Sequence, residues 1–222
     1  LLALGASAGG PAALATLLGE LPADFAPATV IVQHVDESFA AGMADWLDKQ
    51  SALPVRIACH GDTPVPGVVL LASTQDHLRM TSAGVLAYTV EPAGMPYRPS
   101  IDVFFQSVVD FWPACAVGVL LTGMGRDGAA GLRAMRLRNH YTIAQDRETS
   151  AVYGMPKAAA ELDAAVEVLA LGKIAARLEE LFGAAGGDRG RGGSGGNSSG
   201  NSGKGGTGGS GGGHQARNPR GL

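Results

Sequence analysis

Gly5-Ala6-Ser7-Ala8-Gly9 has the G-x-S-x-G spacing of a nucleophile elbow. Small neighbours let such a turn bend sharply and leave the serine hydroxyl uncovered. The amides that follow Ser7, those of Ala8 and Gly9, would then face a developing oxyanion. A serine is a weak nucleophile until a base takes its proton, and His34 in "VQHV" is the candidate base. One βαβ unit sets the carboxyl ends of its strands side by side, which would bring His34 to Ser7. A third group must orient the imidazole. Asp127, Asp146 and Asp36 all stand near strand ends, and position alone leaves the three open. Asp127 is the most distinctive, because it lies in the glycine-dense "TGMGRDG". His60, His77, His140 and His214 lack such a partner and read as surface or structural.

Two other readings of the opening compete. Ser7 could simply cap a helix, or the Gly9–Gly10 amides could cradle a phosphate. The phosphate reading is weak. G-x-G-x-x-G is absent, no Gly-Lys-Ser/Thr follows, and the end of the second strand carries His34 instead of a carboxylate.

These residues need a scaffold, and the chain spells one out. Short β-rich runs at 1–4, 29–33, 55–58, 68–71, 116–121, 142–145 and 166–169 alternate with helical stretches at 10–18, 39–50, 101–111, 129–138, 156–162 and 173–181. Most of the strands are continuously apolar, as expected when helices cover both faces of a parallel sheet. Residues 78–90 read instead as a hairpin turning at 82–84. The predicted fold is α/β: three layers, a mostly parallel sheet with helices on both faces, and an antiparallel hairpin excursion. The order Ser, His, Asp differs from that of the α/β-hydrolases, so convergent chemistry on another fold is expected.

Of 222 residues, 45% are hydrophobic and 17% charged, which suits one domain with a substantial core. The net charge of −3 offers no broad basic surface, which argues against nucleic acid as a partner. The first Lys or Arg is Lys49, so the opening is not a signal peptide, and no apolar run reaches the roughly 18 residues of a membrane span. Two cysteines, Cys59 and Cys115, fit a reducing cytoplasm better than a disulfide framework. Composition changes near Gly183, giving a predicted domain over 1–182 and a Gly/Ser-rich flexible tail over 183–222. The tail carries five basic residues against Asp188 alone, a net +4, which leaves the rest at −7.

"GASAGG", "VQHV", "YRPSID", "LLTGMGRDGAAG" and "VYGMPKAA" together resemble, in family order, the catalytic domain of the CheB protein-glutamate methylesterases of bacterial chemosensory systems. The likeness runs over residues 1–181 and looks closest to the methylesterases of Wsp surface-sensing pathways, whose output would be a cyclic-di-GMP-producing response. It implies that Ser7 attacks a receptor glutamate methyl ester, that His34 takes its proton and that Asp127 orients His34. The amide after Ser7 and that of Met124 would hold the oxyanion, and receptor glutamines could be deamidated by the same attack. It implies no metal or cofactor. Expected partners are a chemoreceptor cytoplasmic helical bundle and a regulatory phospho-receiver domain, with this chain the catalytic fragment of a longer regulated protein. Ala8 stands where the family often has Thr, and Tyr97 where it usually has His. Neither change is expected to touch the triad, while Tyr97 and Arg98 could meet the substrate. A small-molecule serine esterase and a non-catalytic receptor-binding module are the alternatives.

Overall fold

Strand β1 (Leu2–Ala6) accounts for the unbroken apolar run at the start of the chain, because it is buried on both faces. The computed structural model describes residues 1–73 and 75–187. After β1 come α1 (Gly10–Glu20), β2 (Thr29–Gln33), α2 (Glu37–Gln50), β3 (Val55–Ile57) and β4 (Val69–Leu71). The hairpin strands β5 (His77–Met80) and β6 (Leu86–Thr89) precede α3 (Ile101–Phe111). Then follow β7 (Val117–Leu120), α4 (Ala129–Leu137), β8 (Tyr141–Gln145), α5 (Met155–Glu161), β9 (Glu167–Leu169) and α6 (Leu171–Gly187).

Seven of the strands form one sheet in the order β3-β4-β2-β1-β7-β8-β9, with every pair parallel. Successive side chains alternate between two cores, as the two-residue period of a strand requires. Leu2, Leu4, Ile31, Val69 and Val119 join α1, α2 and α6 on one side. Ala3, Val30, Val32, Leu70 and Leu120 join α3, α4, α5 and the hairpin on the other. The hairpin pairs antiparallel as a separate two-stranded sheet, with Leu78 opposite Tyr88.

The chain leaves β1 for β2 on one side and returns to β7 on the other. In parallel sheets such a reversal opens a crevice at the strands' carboxyl ends. Ser7 lies there, between the ends of β2 and β7.

Boundaries of several elements move from the sequence reading, those of β1 and α6 among them. β1 continues to Ala6, because the Ala6 carbonyl accepts from the His34 N–H and so extends the ladder. α6 continues to Gly187, past the composition break at 183. The predicted tail from 188 onward, His214 included, lies outside the described residues. No helix among the described residues is long and apolar enough to cross a membrane.

Candidate active site

Ser7 is the first residue after β1, and its hydroxyl oxygen lies 3.2 Å from His34 Nδ1. His34 follows β2 directly, and its Nε2 lies 2.8 Å from Asp127 Oδ2. Parallel pairing of β1 and β2 sets Ala6 opposite Gln33, so the next residues of both strands meet at the crevice. Ser7 is not the helix cap. Gly9 caps α1 in a left-handed conformation (φ 78°) with no side-chain capping bond.

The elbow is pinned from both flanking strands. On the β2 side, Gln33 Nε2 donates to the carbonyls of Ser7 and His34, each at 2.9 Å. On the β7 side, the Ser7 N–H donates to Thr122 O at 3.0 Å, and Thr122 Oγ1 donates to Ala8 O at 2.9 Å. The next residue comes close enough that a Cβ on Gly123 would lie 2.8 Å from Ser7 Cβ, so a side chain there would displace Ser7. This contact sets the loop bearing Met124 against Ser7. The N–H groups of Ala8, Gly9 and Met124 have no hydrogen-bond acceptor among the described residues.

Asp127 is held by the start of α3. Its carboxylate accepts from Ser100 Oγ at 2.8 Å, from the Ile101 N–H at 2.7 Å and from the Asp102 N–H at 3.2 Å. A helix N-terminus favours an anion in this way. This gives "RPSID" a physical meaning: Ser100 is the N-cap of α3 and the next two amides grip the carboxylate. Burial alone would raise the Asp127 carboxyl, but the bonds from His34, the Ile101 N–H and Ser100 outweigh it and hold it below its ordinary value. An ionised Asp127 can only accept, so Nε2 of His34 carries the proton and Nδ1 is left to accept from the Ser7 hydroxyl. The ring thus offers Ser7 its Nδ1, the reverse of the arrangement in chymotrypsin-type proteases.

The other two carboxylates are engaged elsewhere. Asp36 caps α2 by accepting from the Ser38 N–H, and Asp146 accepts from the Thr149 N–H and hydroxyl. Asp102 accepts from the Gly131 N–H at 2.7 Å, so it caps α4 from a neighbouring helix. Burial, with Asp127 as a nearby like charge, pushes its carboxyl up to about 6 even though the Gly131 N–H opposes the shift. His77, read as structural, is fully buried; its Nδ1 accepts from the Ser100 N–H and its Nε2 faces Pro92 O. It therefore supports the residue that supports Asp127. Gln33, Thr122, Ser100 and His77 were not singled out for the site, because their partners are remote in sequence.

One expectation is corrected. Tyr97 does touch the triad: its ring stacks on the His34 imidazole with centroids 4.5 Å apart and planes 10° from parallel. Tyr97 and Arg98 line a cleft of about 600 Å³ with His34, Asp36 and Asp76. Arg98 is exposed and donates to Ala93 O. Among the described residues no group of three or more His, Cys, Asp or Glu is placed to hold a metal ion.

A protein-family model described as CheB methylesterase matches residues 2–178. The chain is 65% identical over 181 residues to a Burkholderia lata protein named protein-glutamate methylesterase/protein-glutamine glutaminase 1, a match covering 82% of this chain and 54% of that protein. A Cupriavidus metallidurans protein of the same name, numbered 2, is 69% identical over 178 residues, covering 80% and 53%. The chain therefore spans about half the length of the curated relatives it matches. The crystal structure of the Thermotoga maritima CheB methylesterase catalytic domain superposes with a TM-score of 0.77 at 33% identity, covering 81% of this chain and 97% of that one.

Proposed function

This chain belongs to the CheB methylesterase family, and on that premise we propose that Ser7, His34 and Asp127 hydrolyse glutamate methyl esters on chemoreceptor cytoplasmic domains. The observation that carries the reading is the continuous line of contacts from Ser7 Oγ through His34 to Asp127. In this mechanism Ser7 Oγ attacks the ester carbonyl while His34 Nδ1 takes its proton. Asp127 keeps the imidazole oriented and stabilises its charged form without itself taking the proton. The amides of Ala8, Gly9 and Met124 receive the oxyanion. His34 then returns the proton to the departing methoxide, methanol leaves, and water activated by the same imidazole releases glutamate. Deamidation of a glutamine differs only in the leaving group, which is ammonia.

The substrate would be a receptor helical bundle in the cytoplasm, met at the open cleft beside His34, where Arg98 could contact groups around the methylated glutamate. A phospho-receiver domain is the proposed regulatory partner, in a chemotaxis or surface-sensing pathway. The test compares kcat/KM on a methylated receptor fragment with that on a free glutamate side-chain methyl ester. Binding energy from the rest of the bundle should favour the receptor by at least about a hundredfold. Equal values would point to a small-molecule esterase, and no turnover of either to a binding module.

A further inference from the structure

The His34 side chain is only 11% exposed although it borders an open cleft. Its two ring nitrogens are engaged in the ring plane, by Ser7 and Asp127. In-plane bonds orient the ring but leave its faces uncovered, so the access of water to those faces is controlled by something else. Tyr97 is in position to do so. It comes from the segment between β6 and α3, lies nearly parallel to the imidazole, and extends toward the loop after β7. A Cβ at Gly125 would sit 2.8 Å from the Tyr97 hydroxyl oxygen, so the phenol spans from the base to the loop that carries Asp127. Among the described residues that hydroxyl has no hydrogen-bond partner, which leaves the ring face as the group at work.

We propose that Tyr97 is a positioning residue for His34: its π face covers one side of the imidazole, backs the plane that Ser7 and Asp127 set, and stabilises the imidazolium formed as Ser7 loses its proton. A cation over an aromatic face is attracted by the ring's negative π cloud. The proposal deepens the hydrolase reading above and assigns Tyr97 to the base instead of to the substrate.

A small phosphonofluoridate separates the two roles, since it needs no receptor. Ser7 Oγ forms a bond to phosphorus, fluoride leaves, and His34 takes the hydroxyl proton and passes it to water. Labelling of Ser7 should slow about tenfold in Tyr97→Leu and stay within about twofold of wild type in Tyr97→Phe, which keeps the ring. On methylated receptor, kcat should fall by a similar factor with KM nearly unchanged. Tyr97→Met serves as a second ring deletion should the leucine variant fold poorly. Wild-type labelling rates in the ring-deleted variants, or an effect confined to KM, would overturn the proposal. So would a Tyr97→Phe defect as large as that of Tyr97→Leu, because the hydroxyl would then be the acting group. A wild-type chain that labels at Ser7 yet releases no methanol from receptor would sink the methylesterase reading, while the labelling comparison would still decide the role of Tyr97.

Discussion

Helices α1 and α3 both start beside His34, and their leading amides are used in opposite ways. At α3 the N–H groups of Ile101 and Asp102 are engaged by a permanent anion, the Asp127 carboxylate. At α1 the N–H groups of Ala8 and Gly9, which lead into the helix, have no acceptor among the described residues. Both ends favour negative charge for the same reason, the alignment of peptide dipoles and unpaired donors. The difference is when the charge is present. The α3 end stabilises a charge that exists in the folded protein throughout, and so fixes the tautomer of His34. The α1 end suits a charge that exists only while a tetrahedral intermediate does. Donors arranged in this way lower a barrier without tightening the ground state.

Variants at the α3 end should break this comparison most severely. Asp127→Asn keeps the shape but replaces an acceptor-only carboxylate with an amide that can present a donor to His34. We expect kcat to fall by about 10⁴, as a mis-set tautomer does elsewhere, with the fold retained by circular dichroism. A loss of less than about tenfold would mean that Asp127 is a structural ligand of α3 and not part of the reaction.

Next in size is the strap between the strands that lead to Ser7 and His34. Gln33→Leu removes both 2.9 Å bonds that tie the Ser7 and His34 carbonyls together. The expected outcome is a kcat roughly 10- to 100-fold lower, with a stability loss of about 1–3 kcal/mol from the unpaired His34 carbonyl, the Ser7 carbonyl keeping the Gly10 N–H at 2.7 Å. Urea melts and methanol release on one preparation would measure both. A stability loss with kcat unchanged would show that the strap holds the sheet and not the site.

The smallest effect sharpens the comparison through pH. Asp102 has its carboxyl raised to about 6, above its unfolded value, so the folded state binds the extra proton in that window. Its favourable contribution is fully present below about pH 4 and is lost as pH rises through 6. Asp102→Asn can still cap α4 through its amide oxygen, but it carries no such proton. Relative to wild type it should therefore gain stability between pH 4.5 and 7.5 in urea melts. A constant difference across that range would mean Asp102 titrates normally.

Much of this arrangement was legible in the sequence. Strand β2 and helix α3 have the limits expected at 29–33 and 101–111, because buried parallel strands and an amphipathic helix leave strong patterns. Ser7 and His34 were legible as neighbours because one βαβ unit aligns the residues that follow its strands. The choice among Asp36, Asp127 and Asp146 was not available from spacing. It depends on which carboxylate meets the α3 amides, a contact between residues about 25 apart in sequence. Gln33 and Thr122 were hidden for a related reason. A polar residue ending an apolar run reads as a strand terminator until its cross-strand partner is known. The Tyr97–His34 stack arises in a segment without periodicity, where sequence carries little spatial information.

The most direct test of the account is methanol release from a methylated chemoreceptor cytoplasmic fragment by this chain and by its Ser7→Ala variant, each checked for folding. The account predicts release by the wild-type chain and loss of at least about 10⁴-fold in the variant. Release that survives in Ser7→Ala would contradict it, because the uncovered hydroxyl of "GASAGG" would then not be the nucleophile.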